Sequence, residues 1–278
     1  MIHVIDTHCH LTGERFAGDR SAVINGLRQA GIWRAITIGT GIEDAQAVRD
    51  LVALHPDILA GAAGLDPHSA WEAAADYPGQ LAELDRLLAS GAFCALGEIG
   101  LEYHHQLAPW AEQHTQVSTQ FELALRHDLP VVLHVRDGAA AGGRGAQEDM
   151  IELLRQHPRN RGVIHSFAGT PDHARRYLDL GWHLSFNGML TYKGNDALRQ
   201  AAALVPADRL LIETDAPYLP PIPHRGRRCV PDMVNVTAAL LADLRGERED
   251  DIRAWTTRNA CRLFKLTLPP EWTASENN

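Results

Sequence analysis

The segment Asp6-Thr7-His8-Cys9-His10 sets two imidazoles two residues apart behind a short apolar run. Alternate side chains of an extended chain share a face, so His8 and His10 would project together. Imidazole nitrogens are good ligands for Zn²⁺ and other first-row divalent ions. An isolated His-x-His is equally compatible with two unrelated polar side chains. Cys9, between them, would point the other way and pack. Other ligand-type residues recur at comparable places. Glu98 follows a fourth apolar run, His134 ends a fifth, His165 ends a sixth and Asp215 follows an eighth. Histidines, a glutamate and an aspartate in these numbers suffice for two metals, because a carboxylate has two oxygens and can bridge. Two ions ~3.5–4 Å apart are the arrangement used to hydrolyse phosphoesters and peptides. One ion would lower the pKa of a water, and the other would withdraw charge from the substrate oxygen. Asp215 is placed to ligate a metal and accept the water's proton.

The elements that must hold these residues are legible as alternation. Short apolar, β-branched runs at 2–5, 35–38, 58–62, 93–96, 131–133, 162–164, 183–185 and 210–212 are separated by amphipathic stretches. Helices are expected over 22–30, 44–54, 81–88, 112–126, 149–156, 173–180, 195–204, 230–244 and 250–264. Runs this short and apolar on both faces suit buried parallel strands, and the alternation implies βαβ units. About eight units in 278 residues is the number for a single-domain (β/α)8 TIM barrel over 1–268, followed by a polar tail, 269–278, expected to fray. A doubly wound open sheet is the competing architecture, but no GxGxxG follows the first run. All six ligand candidates then fall at the C-terminal ends of strands, where TIM barrels carry their active sites. Two segments look irregular: 138–146, rich in glycine and alanine and read as a mobile loop, and 217–231, rich in proline and arginine and read as a long structured loop.

The strings DTHCH (6–10), GEIGLEY (97–103), PVVLHVRD (130–137), HSFAG (165–169), LTYKGNDALR (190–199) and ETDAPYLP (213–220) resemble the TatD family of metal-dependent deoxyribonucleases, amidohydrolase-like TIM barrels. The resemblance runs from residue 6 to about 264. It implies that His8 and His10 bind a first metal, Glu98 bridges, His134 and His165 bind a second, and Asp215 binds the first metal as catalytic acid/base. It also implies Mg²⁺, Mn²⁺ or Zn²⁺ as cofactors, phosphodiester cleavage in DNA and a cytoplasmic enzyme. The chain departs from the family pattern at the substrate rim. Asp66 stands where Gly-x-His-Pro-His has its first histidine, in Gly64-Leu65-Asp66-Pro67-His68. Cys229-Val230 replaces Asn-Glu in the basic loop, and the loop after His134 is rich in glycine and alanine.

Around this set, Glu213 is two residues from Asp215 and would be an extra ligand or orient a histidine, and Asp137 is a similar candidate. Arg136, Tyr103, His104, Lys193, Arg225 and Arg227 are candidates for holding substrate, with Arg228 completing the basic cluster. Each has a plainer reading as an exposed or structural side chain. The remaining histidines are read as surface or packing residues. Net charge is −9 and the pI about 5.9, which argues against broad binding to duplex nucleic acid. Bound metal ions would still make a cleft locally positive. With DNA as the substrate that the resemblance implies, single strands or DNA ends are expected. The alternative is a small phosphoester, lactone or amide hydrolysed by the same metal pair. A non-catalytic metal-stabilised protein is disfavoured, since a structural zinc site is closed by four ligands. Four scattered cysteines suit a reducing cytoplasm. No leader pattern, membrane-spanning run or obligate protein partner is evident.

Overall fold

A computed structural model describes residues 3–72, 74–105, 108–138 and 145–273. Eight strands run in chain order: β1 Val4–Cys9, β2 Ile32–Thr40, β3 Leu59–Gly64, β4 Ala95–Glu102, β5 Val131–Arg136, β6 Gly162–Ile164, β7 His183–Phe186 and β8 Leu210–Ile212. All neighbouring pairs are parallel, in the order β1 to β8. The ring closes just past the end of β8. Cys9 bridges to Ala216, Asp215 N donates to His8 O at 2.9 Å and His10 N to Ala216 O at 2.6 Å. This is a (β/α)8 barrel, as the alternation predicts.

Its helices are α1 Arg20–Gly26, α2 Ile42–Leu54, α3 Pro67–Glu72, α4 Tyr77–Ala89, α5 Trp110–Arg126, α6 Ala146–Gln156, α7 Pro171–Asp179, α8 Asp196–Leu204, α9 Val234–Arg245, α10 Glu249–Phe264 and α11 Pro270–Thr273. The apolar residues divide by strand parity. Ile5, Ile36, Ala62, Val132, Val163 and Leu211 fill the barrel, capped from below by Phe264 of α10. Val4, Ala35, Leu96, Leu133, Ile164 and Leu210 face the helices. Cys9 has the parity of the inward-facing Ile5 but joins this outer layer, its Sγ against Ile36 O, because β1 shifts register between Asp6 and Cys9. Small residues on β2 and β3 let α2 sit close: a Cβ on Gly39 would lie 2.7 Å from the Ala45 Cα, and one on Gly61 2.9 Å from Val48.

Three expectations need correction. β4 runs to Glu102 rather than ending at Leu96, so Glu98 lies within the strand. The ladder to β5 shifts register between Leu96 and Ile99, and such a bulge re-aims the side chain it contains. A short helix, α3, occupies the Pro67 segment, where none was expected. The tail is not frayed throughout, since 270–273 form α11 with Trp272 packed under Arg258. Residues 274–278, the expected strand residue Ile2 and 139–144 of the expected mobile loop lie outside the described residues. The 217–231 loop has no helix or strand until a turn of 3-10 helix over Pro231–Met233.

Candidate metal centre

The strand ends bring His8, His10, Glu98, His134, His165 and Asp215 into one cluster at the top of the barrel. Glu98, nearly buried, sits at its middle and its two oxygens face different partners. Oε1 lies 2.9 Å from His134 Nδ1 and 2.9 Å from His165 Nε2. Oε2 lies 3.4 Å from His8 Nε2 and 3.8 Å from His10 Nε2. Asp215 Oδ1 completes the second group, 3.5 Å from His10 Nε2 and 3.8 Å from His8 Nε2. Within the pairs, His8 and His10 nitrogens are 3.1 Å apart and those of His134 and His165 3.3 Å. Asp215 reaches this place on a strained backbone, with φ 60°, as does Ser166 beside His165, with φ 45°. Such conformations cost of order 1–3 kcal/mol and cluster at functional sites.

The electrostatics follow from packing imidazoles around buried carboxylates. Burial alone would raise the Glu98 carboxyl, but His165, His134 and His8 hold it well below the ordinary range. Burial opposes a charge on His134, yet Glu102 and Glu98 lift it to about 9. His165 is likewise raised well above its ordinary value against burial, by Glu98 and Glu213. Burial and the neighbouring His165 lower His8. Asp215 is held low by His10 and His8 in spite of its burial. Protons thus sit where cations would: nitrogens and carboxylate oxygens converge from both sides on the same two places. Three buried atoms make the fit tighter. Among the described residues, His8 Nδ1, His165 Nδ1 and Glu213 Oε2 have no hydrogen-bond partner, and His8, His165 and Glu213 each offer a ligand-type atom within 4.8 Å of the others. If the Nε2 atoms of His8 and His165 held cations, their Nδ1 atoms would carry hydrogens, and a Glu213 carboxylate oxygen stands 3.3 Å from that of His165. The six residues and this support fit divalent ions.

The flanking candidates separate cleanly. Glu213 is fully buried under the cluster, accepting Ser166 N at 2.6 Å and standing 3.3 Å from His165 Nδ1. Arg136 lines the cavity above the cluster, its NH1 3.9 Å from Glu102 Oε2. Tyr103 is not a rim contact. It is buried, stacked on Trp110, with its hydroxyl donating to Asp149 at 2.8 Å. His104 and Lys193 are exposed and outside the cavity lining; the neighbouring His105 lines it instead. Asp137 orients no histidine of the cluster, because its Oδ1 accepts Gln147 N at the start of α6. Arg225 packs over Tyr192, and Arg227 is exposed away from the cavity. Arg228 is a structural brace, paired with Asp19 at 2.6 Å and lying over Phe16.

Sequence reasoning passed over Glu102. Its Oε2 is 3.2 Å from His134 Nε2, and its Oε1 accepts His104 N at 2.6 Å and His105 N at 3.1 Å. Burial works against its charge, but His134 and these amides bring its pKa to about 2. A carboxylate on the far nitrogen of a ligating imidazole fixes ring and tautomer. Tyr218, His68 and His105, also passed over, line the same cavity of about 860 Å³.

A barrel with this cluster at its mouth defines a metal-dependent hydrolase. The family model described as TatD related DNase matches residues 5–265, and the chain belongs to the TatD family. It is 32% identical over 268 residues to the metal-dependent hydrolase YcfH of Escherichia coli K12, covering 95% of this chain and 96% of YcfH. A relative from Erwinia tasmaniensis, named as the 3'-5' ssDNA/RNA exonuclease TatD, is 34% identical over 271 residues, covering 95% of this chain and all of the relative. The structure of YJJV, a TatD homologue from Escherichia coli K12, superposes with a TM-score of 0.85 at 31% identity, covering 96% of this chain and 98% of that one.

Proposed function

We propose that the protein hydrolyses phosphodiester bonds in DNA, acting on single strands or ends, with two divalent ions (Mg²⁺, Mn²⁺ or Zn²⁺). His8, His10 and Asp215 would hold one ion, His134 and His165 the other, and Glu98 would bridge them. The observation that carries this reading is the division of Glu98, one oxygen facing each histidine pair. When bound, the ions would supply Lewis acidity toward water and the scissile phosphate. The protein's own part is positioning and proton transfer. Asp215 Oδ1, partly open to the cavity, takes the proton from the attacking water. Glu102 and Glu213 keep His134 and His165 in the rotamers that present Nδ1 and Nε2 to the centre. Arg136 holds the phosphate from the cavity wall. The nuclease name of the Erwinia relative supports the substrate class. A cytoplasmic setting fits the four free cysteines, and no helix of the described residues is long and apolar enough to cross a membrane.

A second reading, a small phosphoester, lactone or amide as substrate, is favoured by Arg225 and Arg227 standing outside the cavity. A panel assay separates the two. Purified protein with each metal is offered single-stranded oligonucleotide, bis(p-nitrophenyl) phosphate, a lactone and an amide. Oligonucleotide cleavage at a kcat/KM above that of the small diester supports the nuclease; turnover of the lactone or amide alone overturns it.

A further inference from the structure

A second ligand-type cluster lies beside the first. His68, Glu102 and His105 each offer one donor atom, and these atoms lie within 4.8 Å of one another. Glu102 Oε2 is 3.3 Å from His105 Nδ1, and the His68 and His105 rings are 5.4 Å apart at 60°. The carboxylate is not free to wander: it is buried, and two amides clamp its other oxygen. His68 is seated in the first turn of α3, whose start is capped by Asp66 accepting Ser69 N at 3.0 Å. All three residues line the cavity, so a cation has a path to them and room for water or substrate.

We propose that this cluster is a third divalent-cation site. Two imidazoles and one carboxylate are a donor set for first-row metals, and three protein ligands leave coordination positions open. The charge of the cavity gives the site a use, a point that rests on the phosphodiesterase reading. Among the described residues, Asp44, Asp66, Glu98, Glu102 and Asp215 line the cavity against the guanidinium of Arg136 alone. Five carboxylates and one guanidinium leave four negative charges, which two divalent ions only cancel. A third ion makes the cavity positive and adds a cation beside the main centre, in the same cavity. Glu102 links this site to the main centre, since the same Oε2 faces both His105 and His134.

The test is read by position and is therefore independent of how many ions the main centre takes. Metal-free protein is titrated with Zn²⁺, bound metal is counted by mass spectrometry, and crystals grown at the same concentration are measured at the zinc edge. An anomalous peak between His68, Glu102 and His105, with micromolar affinity, is expected. His68→Ala and His105→Ala should each weaken this ion by more than about tenfold while leaving peaks at the main centre. An empty position in the wild type at saturation, or an affinity unchanged in both variants, overturns the third site. A peak here with none between Glu98 and the His8 pair would leave this site standing and sink the two-metal reading instead.

Discussion

At the scale of single residues, one carboxylate, Glu98, stands between two histidine pairs, an oxygen toward each, and the proposed centre turns on it. Glu98→Ala should lower metal content, measured on protein purified in one defined metal; two equivalents retained would mean that Glu98 bridges nothing. Glu102→Gln keeps the shape but removes the charge on the far nitrogen of His134. Removing such support typically costs about 10–100-fold in metal affinity or activity. Competition with a chelator would show this, and unchanged affinity would reduce Glu102 to a structural role. The pH dependence also has a definite sign. His134 is lifted to about 9 and His165 well above its ordinary value, so both carry protons at neutral pH when no metal is present. A divalent ion must displace those protons. Metal uptake at pH 7 should therefore release protons, and apparent affinity should rise with pH until about 9. Stability runs the other way in the metal-free protein. A histidine whose pKa is raised by folding stabilises fully below its unfolded value, near 6.5, and that contribution disappears as pH climbs through about 9. Calorimetry in buffers of different ionisation enthalpy measures the release; none at pH 7 would contradict the charge state argued here.

At the scale of elements, the sequence shows eight apolar runs plainly because each strand is buried on both faces and bounded by helical pattern. The six-residue cluster is legible for the same reason: its members follow those runs, where barrels gather side chains from distant segments. What it hides is what β4 does. A bulge and two glycines break the apolar pattern after Leu96, so the apolar run stops there and Glu102 reads as loop. Residues whose partners lie on other elements are equally hidden. Tyr103 looks like a rim residue until α5 and α6 supply Trp110 and Asp149. His68 and His105 look unrelated until α3 and the end of β4 meet over the cavity. The glycines of β4 are closely constrained. A Cβ on Gly100 would lie 1.9 Å from His134 O, so room must come from the strand that carries a candidate ligand. Gly100→Ala should cost on the order of 3 kcal/mol or prevent folding, checked by urea unfolding. A loss below about 0.5 kcal/mol, the range of neutral surface changes, would show that β4 and β5 are not packed this tightly.

At the scale of the whole molecule, an acidic chain with the proposed polyanionic substrate must confine its positive charge to the cavity and let metal supply it. Affinity for DNA should then depend on the loaded metal more than on the arginine-bearing loop, where Arg228 is committed to Asp19 and Arg225 to Tyr192. Recognition beyond phosphate has a candidate platform in Tyr218, half-exposed on the cavity wall, its ring 6.0 Å from that of His10 and 5.9 Å from the Arg15 guanidinium. Base stacking on an aromatic ring is worth about 1–3 kcal/mol. Tyr218→Ala should accordingly raise KM for a single-stranded oligonucleotide by about tenfold or more and leave that for a small phosphodiester nearly unchanged. Equal losses on both substrates would make Tyr218 a support for His10 rather than a platform. The most direct test of the central claim is cleavage of single-stranded DNA by wild-type protein and Asp215→Asn, each loaded with Mg²⁺, Mn²⁺ or Zn²⁺ and each repeated in EDTA. Cleavage that needs metal, and that is lost in Asp215→Asn although the variant keeps its metal, is the expected result; near-normal cleavage by Asp215→Asn, or by wild type in EDTA, would contradict metal-dependent hydrolysis with Asp215 as the proton acceptor.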